Sequence, residues 1–321
     1  MEHGKHVACE VPAAMTLEEI WDVVNTAERT RKHCMMLENC VYDFFEITTL
    51  NMARQGLFGD ITHVKGAYNH CLADIWPDYN ADWRMQYNMK NRGDVYPTHG
   101  IGPVCQLLNI HRGDRLTRLV AMDSDPVSLP AYLVEHGRAK DTVNFQNGEV
   151  TLSLLRTQKG KTIHIEHNVA SPRPYSRLYQ LTGTKGFANK YPVEGYALDS
   201  KSLPAEVTKG AEFTAHEYMP EAVKTALMEA YKDPIVKEME ESAKKVGGHG
   251  GMDFIMDSRL IYCLRNGLPL DMDVYDLAEW CCLIPLSKIS IEKGSVPVEV
   301  PDFTRGAWNK VQGYSHAFVA K

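Results

Sequence analysis

The sequence lacks most of the short motifs that identify common enzyme classes. It contains no P-loop, no Gly-x-Ser-x-Gly nucleophile turn and no His-Glu-x-x-His zinc motif. Those motifs place a phosphate cradle, an activated serine or two zinc ligands at fixed spacings. Their absence argues against P-loop nucleotide hydrolysis, serine-hydrolase chemistry and zinc-protease chemistry. No Gly-x-Gly-x-x-Gly phosphate turn occurs either.

Charge and hydropathy argue against two further kinds of partner. The chain of 321 residues has a net charge of −6 and no block of Lys and Arg, which argues against nucleic acid and against an anionic membrane surface. No apolar run reaches the roughly 18 residues that a membrane span needs. No secretory signal is recognisable at Met1, and the sequence leaves the cellular compartment open.

The cysteines and histidines give no metal or disulfide signature. Eight cysteines lack the spacing of a disulfide framework and include no Cys-x-x-Cys pair, so we expect reduced, mostly buried thiols. His164 and His167 fall on opposite faces of a predicted strand, which makes them a poor metal pair. No metal site is predicted.

The chain opens with a β–α–β pattern. His6–Val11 has the composition of a short buried strand, and Thr16–Glu19 forms a capping box that predicts the start of a helix. A second strand is predicted at Cys34–Leu37. Ligands of doubly wound folds bind at the carboxyl ends of such strands, where Glu10 and Asn39 stand. Residues 1–42 are therefore interpreted as part of a Rossmann-type nucleotide-binding domain.

Residues 43–321 have a different pattern and are interpreted as a second, substrate-binding domain. Several strands at short spacing indicate a largely antiparallel sheet. The clearest are Ile61–Leu72, Thr117–Met122, Val150–Arg156, Thr162–His167 and Tyr179–Gly183. Helices are predicted at Asp43–Arg54, Gly100–Ile110, Glu221–Lys232, Pro234–Lys245, Asp253–Arg265 and Val274–Ser287, and Trp76–Arg92 is predicted to be irregular. The predicted fold class combines α/β and α+β: the carboxyl-terminal remnant of a Rossmann domain, then an α/β domain with a largely antiparallel sheet.

Tyr96 and His99 are the first candidates for chemistry. They lie three residues apart after a proline-restricted entry into a helix, so both side chains can project from one turn. Tyr and His are suitable groups for proton transfer and for binding hydroxyls. The alternative is a helix N-terminal turn with a buried histidine.

Three other places carry weaker signals. Trp83-Arg84 suits a sugar or a nicotinamide ring through stacking and fork-like hydrogen bonds, although a surface arginine is the alternative. Tyr175 stands in the rigid loop Ser171–Arg177, which is either a binding loop or a plain connection. His249, between two pairs of glycines, is either a site residue or part of a flexible turn.

Together these segments resemble the Gfo/Idh/MocA oxidoreductase-like proteins, and within them glycoside hydrolase family 109, the NAD-dependent α-N-acetylgalactosaminidases. The resemblance spans nearly the whole chain, and the blocks Gly93–Gly100 and Ser171–Arg177 are its most specific parts. It rests on Gly4–Pro12, His33–Tyr42, Tyr68, Trp83-Arg84, Gly93–Gly100, Ser171–Arg177 and Gly247–Phe254.

Two substitutions favour the glycosidase branch of this group. The wider oxidoreductases usually carry a catalytic Lys where this chain has Val11. They also often place Asp four residues before the site histidine, where this chain has Val95. The usual base of a simple dehydrogenase is therefore absent.

The resemblance implies hydrolysis of terminal α-N-acetylgalactosaminides by oxidation, elimination, addition and reduction, an exception to the paired-carboxylate mechanism. NAD takes a hydride from C3 of the sugar, a base removes the acidified proton at C2, the C1 leaving group departs, water adds, and the hydride returns. The alternatives are an NAD(P)-dependent sugar or inositol dehydrogenase and an inactive truncated fragment.

The resemblance also implies roles for individual residues. His99 is expected to transfer a proton together with Tyr96 or Tyr175, and the assignment among the three stays open. Residues expected to contact NAD are Glu10, Val11, Asn39, Trp83 and Tyr96. Residues expected to contact the sugar are Tyr68, Arg84, Tyr96, Pro97, Thr98, His99 and Tyr175.

Compared with the family, this chain lacks the half-domain that carries the glycine-rich phosphate turn. We therefore expect an N-terminally truncated enzyme with little NAD affinity of its own. By analogy with the family, a homo-oligomer is expected to form through the antiparallel sheet.

Overall fold

The computed structural model describes residues 1–73, 83–138, 140 and 145–319. It begins with the predicted β–α–β unit. Strands β1 (Val7–Cys9) and β2 (Cys34–Met36) pair in parallel, and helix α1 (Leu17–Thr30) connects them. The Thr16 hydroxyl accepts from the Glu19 amide while the Glu19 carboxylate accepts from the Thr16 amide. The predicted capping box is therefore confirmed.

A larger sheet follows within the described residues. Its strands are β3 (Ile61–Asn69), β4 (Leu116–Asp123), β5 (Thr151–Thr157), β6 (Thr162–Asn168), β7 (Tyr179–Gly183), β8 (Gly186–Lys190), β9 (Gly195–Leu198) and β10 (Val298–Glu299). The strand order is β10-β4-β5-β6-β3-β7-β8-β9. All neighbours are antiparallel except β3 and β6, so the prediction of a largely antiparallel sheet is confirmed.

Helices pack against one face of this sheet and against the opening unit. Those after α1 are α2 (Phe44–Arg54), α3 (Trp83–Lys90), α4 (Thr98–Leu108), α5 (Ser128–Glu135), α6 (Ala205–Thr208), α7 (Glu221–Ala230), α8 (Pro234–Val246), α9 (Met252–Asn266), α10 (Val274–Cys281) and α11 (Leu283–Glu292). Across the described ranges, every helix falls short of the length and apolar character needed to cross a bilayer.

Two of the predicted elements differ from the structure. The stretch Trp76–Arg92, predicted to be irregular, contains helix α3, while residues 74–82 lie outside the described residues. The predicted helix Val274–Ser287 is two helices that meet at Cys282. Pro285 has no amide hydrogen to donate to the Cys281 carbonyl four residues earlier, so the helical hydrogen-bond ladder breaks there.

A contact between two glycines brings helix α4 close to strand β3. A Cβ atom on Gly66 would lie 2.0 Å from the carbonyl oxygen of Gly100, and a Cβ atom on Gly100 would lie 3.0 Å from the amide nitrogen of Ala67. Only hydrogen fits at Gly66, and a side chain at Gly100 would require the Ala67 backbone to shift, so the helix backbone lies directly on the strand. His99, beside Gly100, is thereby placed next to Tyr68 at the end of β3.

Candidate active site

A cleft of about 800 Å³ opens where the ends of β1 and β2 meet the end of β3, the start of α4 and the start of α9. The carboxyl ends of parallel strands are the usual ligand sites of open α/β sheets. The residues that line the cleft are Glu10, Val11, Leu37, Asn39, Cys40, Tyr68, His70, Arg84, Tyr96, His99, Tyr175, Arg177, His249, Met252, Asp253, Met256 and Asp257.

His99 is held by a buried carboxylate. Its Nδ1 atom lies 2.6 Å from Oε1 of Glu38, and the Glu38 side chain is fully buried. Burial would raise the pKa of Glu38, but the charge of His99 and the hydrogen bond with it outweigh burial and lower that pKa. Since Nδ1 is occupied by Glu38, Nε2 is the ring nitrogen left for a ligand in the cleft.

Two tyrosines enclose the His99 ring. The ring centroid of His99 lies 5.1 Å from that of Tyr68 and 4.9 Å from that of Tyr96, both at steep angles. Burial raises the pKa of both phenols, so they stay protonated near neutral pH. A protonated phenol in this position is a hydrogen-bond donor for a ligand oxygen.

Arg84 reaches the same cleft from helix α3. Its guanidinium carbon lies 4.4 Å from the centre of the Tyr96 ring and 5.5 Å from that of Trp83. Stacking on aromatic rings fixes the plane of a guanidinium group, whose fork of N–H donors matches the geometry of planar oxygen pairs. Trp83 itself is 42% exposed and does not line the cleft.

Tyr175 lies at the other side of the cleft, in the loop before β7. Its ring centroid lies 5.0 Å from that of His70 and 5.9 Å from that of Tyr191. Burial within this cluster raises the pKa of the Tyr175 phenol even though the residue as a whole is 42% exposed. Tyr175 is therefore a protonated donor at the rim.

A network of ion pairs holds Arg177, two residues after Tyr175, in the lining of the cleft. Asp43 accepts from Arg177 at 2.7 Å and pairs with Lys190 at 2.6 Å, and Lys190 also reaches Glu46 at 2.9 Å. Burial and the charge of Asp43 raise the pKa of Glu46 to about 8, although Lys190 opposes them. This network fixes Arg177, which lines the cleft.

The wall opposite His99 is polar. Asp253 on α9 accepts from the Asn39 amide and pairs with His249 Nδ1, each at 2.7 Å. This contact ties Asn39, in the turn that follows β2, to the start of α9. His249 is itself 72% exposed, at the open end of the cleft.

The structure brings together most of the predicted site residues. Those that line the cleft are Glu10, Val11, Asn39, Tyr68, Arg84, Tyr96, His99 and Tyr175. Pro97 and Thr98 are buried in the entry to α4 and, with Trp83, lie outside the lining. The sequence interpretation missed Glu38, Arg177 and Asp253. Of these three residues, Glu38 was the easiest to find from the sequence, because it directly follows a predicted strand.

The two histidines of β6 behave as the alternation predicted. His164 is partly exposed and His167 is buried, on opposite faces. Burial lowers the pKa of His167 to about 3, which makes it a neutral core residue.

The fold and the cleft define the class of this protein: a Rossmann-type oxidoreductase fold with a second, sheet-based domain. An inositol dehydrogenase homologue from Azotobacter vinelandii, solved with NAD⁺, is similar over 93% of this chain and 73% of its own, with a TM-score of 0.58 and 17% identity. A levoglucosan dehydrogenase, solved with NADH and levoglucosan, is similar over 94% and 75%, with a TM-score of 0.62 and 18% identity.

Sequence comparison narrows the class to one family. Residues 42–310 match the model of the glycosyl hydrolase 109 C-terminal domain. Glycosyl hydrolase family 109 protein 1 of Bacteroides thetaiotaomicron is 65% identical over 320 residues, which are 99% of this chain and 68% of the relative. The chain belongs to glycosyl hydrolase family 109, and the predicted family and fold class are confirmed.

Proposed function

We propose that this protein contributes the catalytic cleft of an NAD-dependent glycosidase that hydrolyses terminal α-N-acetylgalactosaminides. The observation that carries this proposal is the His99–Glu38 pair, which lies beside the rings of Tyr68 and Tyr96 in the cleft at the ends of two parallel strands. Such a site is suited to moving a proton at a carbon of a bound sugar. We also propose that residues 1–42 form the cofactor side and residues 43–321 the sugar side.

The described residues fit the nicotinamide end of the cofactor. The strand ends open directly into the cleft, where Val11 offers an apolar surface while Glu10 and Asn39 offer polar atoms. We propose Tyr96 and, through its contact with Arg84, Trp83 as further parts of this site. When bound, NAD would accept and later return a hydride at one ring carbon of the sugar.

The residues of this chain would bind the sugar and move its protons. We propose that Nε2 of His99 removes the proton from the carbon beside the oxidised one, while Tyr96 and Tyr175 donate hydrogen bonds to the sugar oxygens. Arg84 would bind an oxygen pair with its stacked guanidinium group. Of the predicted sugar contacts, we propose that Tyr68, Arg84, Tyr96, His99 and Tyr175, which line the cleft, bind the sugar, whereas Pro97 and Thr98 lie outside the lining.

The test is release of p-nitrophenol from an aryl α-N-acetylgalactosaminide, with and without NAD⁺. Two proteins are compared: this chain, and a chimera that adds the part of the Bacteroides thetaiotaomicron relative that the chain does not match. NAD⁺-dependent release without net NADH supports the proposal. Net NADH with a free sugar and no aryl release would instead identify a sugar dehydrogenase, and lack of activity in the chimera would refute both.

The role of His99 is tested in the active protein. His99→Gln should lower the rate about 10²-fold or more, the usual loss for a general base. The exposed His216→Gln is the matched control and should retain full activity. Unchanged turnover in His99→Gln would remove His99 from the mechanism.

We further propose a homo-oligomer through the open face of the sheet. Met122 and Leu152 are cross-strand neighbours and are 62% and 41% exposed, and Leu154, on the same face, is 54% exposed. An apolar group of this kind on a sheet face marks an interaction surface. Leu154→Glu should lower the mass measured by light scattering, while Ile261→Glu, at an apolar position on α9 that is 55% exposed, is the control outside the sheet.

A further inference from the structure

The buried side chain of Glu38 has His99 as its hydrogen-bond partner. Its Oε1 atom lies 2.6 Å from Nδ1 of His99 and accepts the Cys40 amide at 3.1 Å. Glu38 is the second residue after β2, whereas His99 stands in the first turn of α4. A carboxylate without exposure to solvent needs such partners to stay ionised.

The surroundings leave room for this carboxylate. Gly102 lies one turn after His99 on α4, and a Cβ atom there would stand 3.2 Å from Cγ of Glu38 and 3.1 Å from the Trp280 ring. Any side chain at this position would press on Glu38. Because Gly102 has no side chain, the Glu38 carboxylate can approach the helix that carries His99.

We propose that Glu38 is a positioning residue that keeps His99 in the tautomer protonated at Nδ1, so that Nε2 faces the cleft as an unprotonated base. The hydrogen bond at one ring nitrogen of a histidine sets the protonation of the other. This inference rests on the proposed function for its catalytic meaning. It assigns the proton transfer to His99 and leaves Tyr96 and Tyr175 as donors.

A metal ion is the competing explanation for this cluster. Ligand atoms of Glu38, Cys40 and His99 lie within 4.8 Å of one another. Metal binding requires a thiolate, but burial and the charge of Glu38 raise the pKa of the Cys40 thiol well above its usual value. The thiol also lies 3.3 Å from the Asn39 side-chain oxygen as a hydrogen-bond donor. Hydrogen bonds thus account for Oε1 of Glu38, Nδ1 of His99 and the Cys40 thiol, while Oε2 of Glu38 is buried without a hydrogen-bond partner among the described residues.

The first test uses this chain without cofactor or substrate. The chain is labelled with ¹⁵N-histidine, and the ring nitrogens of His99 are assigned by loss of their signals in His99→Gln. Above the titration of the ring, wild-type His99 should show a proton on Nδ1 and a bare Nε2. In Glu38→Met, which fills the volume without a carboxylate, the proton should move to Nε2, the preferred site in a free histidine side chain.

The control is a second buried pair in the same spectrum. Glu279 is buried and lies 3.3 Å from Nδ1 of His111, so Glu279→Met should change the His111 signals and leave His99 unchanged. A wild-type His99 protonated at Nε2 would overturn the inference, whatever the activity. Stoichiometric zinc in the purified chain, measured by plasma mass spectrometry, would also overturn it.

The second test uses the active chimera. Glu38→Met should lower kcat about 10²-fold and leave KM within about twofold of the wild type. The proton of His99 would stand on the wrong ring nitrogen, whereas the contacts with the sugar would remain. Glu38→Asp should recover part of kcat, and the rise of kcat with pH should move in both variants. If Glu38→Met fails to fold, kcat and its pH dependence are both measured in Glu38→Asp. A raised KM with unchanged kcat would overturn the positioning role, whereas an inactive wild-type chimera with the Nδ1 tautomer intact would refute only the proposed function.

Discussion

The phenols in the cleft differ from His99 in what they can do at neutral pH. Burial raises the pKa of both Tyr96 and Tyr175, so neither is available as a base. Tyr96→Phe and Tyr175→Phe should each remove one hydrogen bond, worth about 1–1.5 kcal/mol, and slow turnover about tenfold. The measurement is the steady-state turnover of each tyrosine variant, compared with that of His99→Gln. A tyrosine variant slower than His99→Gln would transfer the base role to that tyrosine.

A second ionised cluster, away from the cleft, makes stability depend on pH. His111 is buried, and Asp273 lies 3.3 Å from its Nε2 atom. Burial opposes its charge, but Asp273 and Asp276 raise the pKa of His111 from 6.5 to about 10. Because the pKa is raised on folding, the stabilisation is complete below pH 6.5 and is lost as pH rises through about 10.

The expected outcome is a melting temperature that falls between pH 6.5 and pH 10, the interval between the two pKa values. Differential scanning calorimetry across this interval measures the fall. His111→Gln should be less stable at pH 6.5 and should show a flatter curve, while the exposed His216→Gln should follow the wild type. Parallel curves for His111→Gln and wild type would contradict this assignment.

At the level of residues, the sequence predicted one side of the site better than the other. Tyr96 and His99 share a helical turn, so local spacing was enough to pair them. The partner of His99 was not visible in that way, because Glu38 is 61 residues away. Its contact with His99 depends on how closely α4 approaches the opening unit, and that is a property of packing.

The approach of α4 to β3 is the element-level feature on which the site depends. A methyl group on Gly66 would meet the Gly100 carbonyl at 2.0 Å, whereas one on Gly100 would meet the Ala67 backbone at 3.0 Å. Backbone atoms cannot rotate away, so the first contact forces the helix off the strand. The second requires a shift of only a few tenths of an ångström.

Gly66→Ala should therefore lose about 3 kcal/mol or more of unfolding free energy, at the upper end for overpacked cores, and Gly100→Ala should lose less. Urea unfolding followed by tryptophan fluorescence gives both values. In the ¹⁵N spectrum, Gly66→Ala should also disturb the His99 ring signals, because His99 adjoins the displaced residue. Equal losses in the two variants would show that the contact does not control the helix position.

Elements were predicted well where the local pattern is strong. The apolar positions of α1 include Ile20, Val24 and Ala27, which are buried as the helical spacing indicated. Strands β8 and β9 and helix α5 were missed. Those two strands are short and begin with glycine, and their stability comes from cross-strand partners that a single-sequence pattern does not contain.

At the level of the whole molecule, one buried ion pair connects distant parts of the chain. Arg259 on α9 donates two hydrogen bonds to Asp271, at 2.6 and 2.7 Å, and both side chains are 1% exposed. Asp271 also accepts from the Tyr42 hydroxyl at 3.0 Å, and Arg259 donates to the Ala317 carbonyl at 2.9 Å. The pair thus joins the end of the opening segment, helix α9 and the last described residues.

Breaking this pair should destabilise the molecule as a unit. Asp271→Ala leaves a buried guanidinium without its counter-ion, for which a loss of about 3–5 kcal/mol is expected. The exposed pair of Arg305 with Glu28, in which the side chains are 45% and 36% exposed, is the matched comparison, and Glu28→Gln should lose less than about 1 kcal/mol. Urea unfolding should show one transition for Asp271→Ala, shifted to lower denaturant. A second transition would mean that the opening segment unfolds separately, and a shift no larger than that of Glu28→Gln would mean that the buried pair does not hold these parts together.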